Sequence, residues 1–265
     1  MKFLVTNDDG IHSAGVAAVV EVLQHFGQVY VVCPDEQRSA ASHSITLQRP
    51  LQVKKSTQLG VDIPTWTVNG TPADCVKLAL DVLVPQDIDL VISGVNIGAN
   101  IGHDHYYSGT VSGAVEASLW GISAIAMSLD VFDGQQADFS FSKRAVFHIT
   151  EELIRLSNQK KYLLNINIPH VGEGDCKGIR VAPPDFSLKR YAHVEVNDPD
   201  GGRSYLLEDR RASLTSECPY HDFALLNEGY ITITPLHGNV GEWDALEMKW
   251  LSKFNKLIME GSQVV

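Results

Sequence analysis

Two carboxylates stand side by side at Asp8 and Asp9, directly after the apolar run Phe3-Leu4-Val5. Adjacent like charges raise each other's pKa and are costly without a counter-charge. A divalent cation resolves the conflict, because hard cations prefer carboxylate, hydroxyl and amide oxygens together with water. Two more oxygen-rich stretches follow apolar runs in the same way. Asp35-Glu36-Gln37-Arg38-Ser39 comes after Val29-Tyr30-Val31-Val32-Cys33, and Ser93-Gly94-Val95-Asn96 comes after the run from Ile88 to Ile92. Asp8, Asp9, Ser39 and Asn96 together form an oxygen donor set for one metal ion. Either carboxylate alone would serve as an ordinary helix cap; the three loops in combination favour the metal.

A fourth stretch suits phosphate. Ser108-Gly109-Thr110 stands directly ahead of a run of helical character. A helix N-terminus offers free N–H groups and partial positive charge, the two hydroxyls add donors, and Gly109 permits close approach. A plain Ser or Thr N-cap is the alternative reading. The glycines at 94, 98 and 102 that lead into it match neither a Walker A motif nor Gly-x-Gly-x-x-Gly. His12, His43, His103 and His105 fall in these loops as candidate proton donors or phosphate ligands, each also readable as a surface or packing histidine. His148, His193 and His221 have no partner visible in the spacing. Arg38 pairs either with phosphate or with Asp35 and Glu36 beside it.

Such loops converge only if the runs before them are parallel strands whose carboxyl ends share one edge. Residues 2–6 read as a short buried strand. From Ala14 to Phe26 the residues Val16, Val19, Val20, Leu23 and Phe26 recur at helical spacing. A second strand ends at Pro34. Residues 45–68 alternate as a β-excursion expected to be antiparallel, and Thr71-Pro72-Ala73-Asp74 then opens a helix. A strand at 88–92, a helix at 111–120, a strand at 122–127, a helix at 142–156 and a strand at 163–168 follow. The alternation predicts an α/β class, with a Rossmann-like α/β/α sandwich on a mainly parallel sheet. Beyond Pro183-Pro184 come a hairpin at 191–208 turned by Asp200-Gly201-Gly202, a strand at 230–234, and a helical stripe of Trp243, Leu246, Trp250, Phe254 and Leu257. The expected division is a metal- and phosphate-binding core over 1–185 and a β-rich part over 186–265 that carries subunit contacts.

Composition narrows the function classes. Of 265 residues 44% are hydrophobic, enough for a large core, and the net charge of -11 argues against polymeric nucleic acid and anionic membranes as partners. No apolar run approaches the ~20 residues of a membrane span, and no signal-peptide pattern is present, so the cytoplasm is expected. Cys33, Cys75, Cys176 and Cys218 are scattered without a Cys-x-x-Cys pair, which weighs against both a zinc site and a disulfide framework.

Five segments carry a resemblance. "TNDDGIHSAGV", "VCPDEQRSAASHSITL", "VNGTPADCVKLAL", "LVISGVNIGANIGHDHYYSGTVSGAVEASLWGISAIAMSL" and "ITPL" lie in the order and spacing of the SurE family of metal-dependent nucleotidases, which the chain resembles along its whole length. The resemblance implies a divalent ion, Mg²⁺ or Mn²⁺, held at Asp8, Asp9, Ser39 and Asn96, with Ser108-Gly109-Thr110 on the phosphate side. It implies phosphate release from nucleoside 5'-monophosphates, with breadth toward 3'-nucleotides and short polyphosphate, in a homodimer or homotetramer. The chain departs from the family pattern at His12-Ser13-Ala14-Gly15, at Ala40 where a glycine is common, at Ala73, and at His103-Asp104-His105. A nucleotide-binding or receiver-like module without turnover is the other reading. A receiver needs a phosphoacceptor Asp at a later strand end, where this chain has Ser93-Gly94.

Overall fold

Phe3 and Val5 point to one face of the first strand and Leu4 to the other, and a different pair of helices covers each face. The computed structural model describes residues 1–131, 136–157, 161–199 and 201–236. In chain order the elements are β1 (Lys2–Thr6), α1 (Ala14–Leu23), β2 (Gln28–Pro34), β3 (Val53–Ser56), β4 (Thr65–Val68), α2 (Pro72–Leu78), β5 (Leu90–Ile97), α3 (Asp104–Tyr107), α4 (Gly109–Leu119), β6 (Ser123–Asp130), α5 (Ser140–Ser157), β7 (Leu163–Pro169), β8 (Ile179–Val181), β9 (Tyr191–Val196), β10 (Ser204–Asp209), α6 (Asp222–Asn227) and β11 (Ile231–Pro235). The stripe from Trp243 to Leu257 lies outside the described residues.

Among the described residues nine strands form one sheet in the order β3-β4-β2-β1-β5-β6-β7-β11-β8. All neighbours are parallel except β3 on β4 and β11 on β7. Val16, Val19 and Leu23 of α1 and Val146, Ile149 and Leu153 of α5 bury against Phe3, Val5, Ile92 and Ile125 on one face. Val76 of α2 and Val111, Ala114 and Ala117 of α4 bury against Leu4, Val32 and Val91 on the other. This is the expected α/β/α sandwich on a mainly parallel sheet. The strand order grows outward from β1 to β2 on one side and to β5 on the other, so the topology switches at β1, where an open α/β sheet leaves a crevice for ligands. Beyond residue 186, β9 and β10 pair as the expected antiparallel hairpin, while β11 enters the main sheet between β7 and β8. No helix among the described residues is long and apolar enough to cross a membrane.

Several expectations need correction. Only residues 53–56 and 65–68 of the excursion are strands, antiparallel to each other. Ile45 and Leu47 are exposed rather than half-buried in a sheet, Leu47 at 82%. That segment is held by polar bonds instead: the Thr46 N–H and hydroxyl donate to the Asp74 carboxylate at 2.8 and 2.7 Å. The same Asp74 closes a capping box with Thr71, so the helix start read from Thr71-Pro72-Ala73-Asp74 stands. α1 ends at Leu23, three residues early. β5 does not stop at Ile92 but continues through the glycine-bearing stretch to Ile97. β8, only three residues long, and α6, of six, had no periodicity to announce them.

Candidate active site

The extension of β5 is what aims Asn96. Ser93 pairs with Ala126 and Asn96 with Ser128, so two residues of β5 oppose one of β6 in a bulge. Gly94 sits there at φ +133°, and a Cβ on it would lie 2.2 Å from the Met127 carbonyl oxygen, so only glycine fits. The Asn96 amide nitrogen donates to Gly98 O at 2.7 Å, which leaves the amide oxygen as its acceptor. From the neighbouring strand end, Asp8 is buried and Asp9 half-buried. The loop after β2 is tied to them, since the Arg38 N–H donates to Asp8 O at 2.7 Å. Ser39 accepts from the Gln37 side chain at 2.9 Å. Asp8, Asp9, Ser39, Asn96 and Ser108 all line one cleft of about 280 Å³ over the switch point.

Asp8 is engaged from behind by α4. The Thr110 hydroxyl donates to Asp8 Oδ1 at 2.5 Å. A Cβ on Gly109 would lie 2.9 Å from Asp8 Cβ, so glycine permits the approach. Burial raises the Asp8 pKa, and the Thr110 hydroxyl with the backbone N–H groups of Thr110 and Gly109 pulls part of it back. Thr110 and Gly109 therefore stand behind the carboxylate rather than on the cleft wall, and Ser108 alone of the three lines the cleft. The Ser108 side chain caps α4 by accepting from Val111 N–H at 3.1 Å. Burial and the Asp8 charge push Asp9 up to about 6, against one hydrogen bond from Ile97 N–H. Among the described residues no ion pair reaches either carboxylate. Two crowded carboxylates, a hydroxyl and an amide oxygen, with no imidazole or thiol among the described residues of the cleft, fit a hard divalent cation.

The four candidate histidines do not join this cleft. His12 is exposed. His103 packs near the Phe186 ring at 5.4 Å, and His43 bonds Glu116 at 2.9 Å. His105 is buried, its Nε2 2.8 Å from Asn165 Nδ2, and burial lowers its pKa to about 4. Arg38 pairs with Glu36 and Asp35 at 2.9 and 3.2 Å.

Several cleft residues were not singled out from the sequence. Arg190 reaches Asp104, Asp209 and the Ala99 carbonyl from the start of the hairpin, with Tyr191 beside it. Burial works against the Arg190 charge, and the Asp209 and Asp104 carboxylates more than offset it, so its pKa lies above the ordinary arginine value. Asn100 also lines the cleft, and Asn165, Asn167 and Ser128 bond to it at 2.8 to 3.0 Å. A local signal existed for the strand-end loops; none existed for Arg190, which lies outside the quoted motifs.

The family model described as "Survival protein SurE" matches residues 3–190. A protein of Pelotomaculum thermopropionicum named 5'-nucleotidase SurE is 40% identical over 97% of this chain and 98% of its own. One of Moorella thermoacetica with the same name is 41% identical over 89% of this chain and 90% of its own. The crystal structure of the SurE protein from Aquifex aeolicus superposes with a TM-score of 0.75 at 32% identity, covering 96% of this chain and 100% of that one.

Proposed function

This chain belongs to the SurE family, and from that premise we propose that it is a metal-dependent 5'-nucleotidase, a hydrolase that releases phosphate from nucleoside 5'-monophosphates. The observation that carries the metal reading is the meeting of Asp8, Asp9, Ser39 and Asn96 in one cleft at the switch point of the sheet. The donor chemistry supports Mg²⁺ or Mn²⁺. When bound, such an ion polarises a phosphoryl oxygen and acidifies a water.

The chain's own residues then divide the work. Thr110, with the N–H groups at the start of α4, holds Asp8 in place. Asp9, the more exposed of the pair, orients the attacking water. The N-terminal end of α4 at Ser108, Gly109 and Thr110 lends partial positive charge to the phosphate side. Tyr107 and Tyr191 border the same cleft and offer ring faces to a base. Because the metal ligands and the start of α4 meet the phosphate rather than the sugar, 3'-nucleotides and short polyphosphate belong to the same reading. So does a cytoplasmic homodimer or homotetramer with the β9–β10 hairpin as a contact, where Tyr205, Leu206 and Leu207 are each more than half exposed.

The test is phosphate release from 5'- and 3'-nucleotides and short polyphosphate in EDTA, then with Mn²⁺ or Mg²⁺ restored. Loss with chelator and recovery with metal are expected. No release from folded protein with either metal would make the cleft a nucleotide-binding site without turnover.

A further inference from the structure

Away from the cleft, Asp185, Cys218 and His221 come together. A carboxylate oxygen, the thiol sulfur and a ring nitrogen of these residues lie within 4.8 Å of one another. Among the described residues this is the one such group of three. Asp185 lies in the loop between β8 and β9 and is fully buried. Cys218 and His221 sit in the segment Cys218-Pro219-Tyr220-His221 that leads into α6. Sequence spacing alone discounted zinc for lack of paired cysteines; the fold supplies a carboxylate donor from 33 residues upstream of Cys218.

Two features set the group apart from a chance meeting of polar side chains. The Nδ1 atom of His221 is buried without a hydrogen-bond partner, and it stands 4.0 Å from Asp185 Oδ1. An orphaned buried ring nitrogen is costly unless something binds it. The carboxylate, in turn, is oriented like a ligand with a supporting shell. Asp185 Oδ1 accepts from the Ser187 N–H and hydroxyl at 3.1 and 2.6 Å, and Oδ2 accepts from the Ser216 hydroxyl at 2.5 Å. Ser216 Oγ also accepts from Cys218 N–H at 3.0 Å, so one hydroxyl fixes both the acid and the cysteine. The backbones are locked as well: Asp222 Oδ1 accepts from Asp185 N–H at 2.9 Å, and the Asp222 N–H donates to Pro183 O at 3.0 Å.

We propose that Asp185, Cys218 and His221 form a Zn²⁺ site distinct from the oxygen-lined cleft. A mixed oxygen, sulfur and nitrogen set with three protein ligands suits zinc, with water in the fourth position, whereas the all-oxygen cleft suits Mg²⁺ or Mn²⁺. The His221 side chain is 34% exposed and Cys218 is partly exposed, so the group lies near the protein surface. Binding displaces the thiol proton of Cys218 to solvent, and sulfur bonds the metal as thiolate. The ion clamps the loop that begins at Pro183 to the segment entering α6. That loop runs on to Arg190 at the cleft, so zinc occupancy stiffens one wall of the active site without taking part in its chemistry.

The test uses the full chain, stripped with chelator, desalted, and titrated with Co²⁺ as the optical probe. A thiolate-to-cobalt charge-transfer band is expected, bleached by one equivalent of Zn²⁺. The band is lost in Cys218→Ser and in His221→Ala and kept in Asp9→Asn, whose change lies in the cleft. Alkylation of the folded wild-type chain gives a readout that needs no variant, because Cys33, Cys75 and Cys176 are buried and Cys218 is partly exposed. Zn²⁺ should protect that single reactive thiol. Absence of the band, its survival in Cys218→Ser, or alkylation indifferent to Zn²⁺ would each overturn the site, whatever the outcome of the phosphate-release experiment.

Discussion

Thr110 donates its hydroxyl proton to Asp8 across 2.5 Å, joining the first turn of α4 to the end of β1 although 102 residues separate them. The bond fixes the rotamer of a buried carboxylate and favours its ionised form. Asp8 is a ligand of the proposed metal site, and partners one step behind such ligands typically change metal affinity by about 10- to 100-fold when removed. Thr110→Val should therefore raise the Mn²⁺ concentration for half-maximal phosphate release by about tenfold or more. Thr110→Ser, which keeps the hydroxyl, should stay near wild type. An unchanged metal dependence in Thr110→Val would remove Thr110 from the support of the site.

Asp9 gives a pH signature with a definite sign. Burial and the Asp8 charge hold its pKa at about 6, so without metal the carboxylate is half protonated near that pH. Protons and metal then compete for the same oxygen. At sub-saturating Mg²⁺, activity should climb as pH rises through about 6, and added Mg²⁺ should move the midpoint to lower pH. Asp9→Ala should abolish turnover while circular dichroism stays native. A midpoint that ignores metal concentration would separate the acid limb from the ligand set.

Ala40 occupies the position where the family pattern carries glycine, and its φ of 53° is left-handed. For a residue with a Cβ that conformation costs roughly 1–2 kcal/mol, while glycine loses about 0.4–1 kcal/mol through the greater freedom of the unfolded chain. Ala40→Gly should therefore leave stability equal or up to about 1.6 kcal/mol higher in urea unfolding, against the usual direction of an Ala-to-Gly change. A loss of about 1 kcal/mol would show that the loop does not hold this conformation in solution.

How much of this was legible in the chain depends on where each signal resides. The β1, β2 and β7 runs and the apolar face of α1 follow from local pattern, and the four cleft oxygens follow from what stands just after each run. The left-handed turn at Ala40 and the bulge at Gly94 leave only a residue type as their trace, and Ala40 erases even that. Asn165 and Asn167 act through partners 60 or more residues away, as in the 65-residue step from Asn100 to Asn165, and Arg190 reaches the cleft through Asp104, 86 residues away. Asp185, Cys218 and His221 show the same limit: Cys218 and His221 are neighbours in the chain, but β8 and α6 have to be placed before Asp185 can face them. Pairing between distant strands carries that information, and no window of local sequence contains it.

His105 provides the last prediction, and it concerns stability rather than turnover. Its Nε2 takes a hydrogen bond from Asn165 Nδ2 at 2.8 Å, an assignment drawn from the bonding network, so the neutral ring carries its proton on Nδ1. Burial lowers its pKa from 6.5 to about 4. Because the folded chain binds this proton less readily than the unfolded chain, the stability at stake is complete above about pH 6.5 and is lost as pH falls through about 4. With about 1.4 kcal/mol per unit of pKa, the ceiling is roughly 3 kcal/mol. Asp222, 3.7 Å from the same nitrogen, acts in the opposite sense. Burial raises its pKa to about 6, so its contribution is complete below the unfolded value near 3.8 and is lost as pH rises through 6. The two groups offset each other in the wild-type profile, which makes the wild-type curve alone a poor reporter. The difference between wild type and His105→Gln isolates the imidazole. The variant should be less stable at pH 7, where buried packing and the Asn165 bond are disturbed, and the gap should shrink steadily between about pH 6.5 and 4. A gap that stays constant over that range would mean that His105 titrates like an exposed histidine and that solvent reaches the Asn100–Asn165 network.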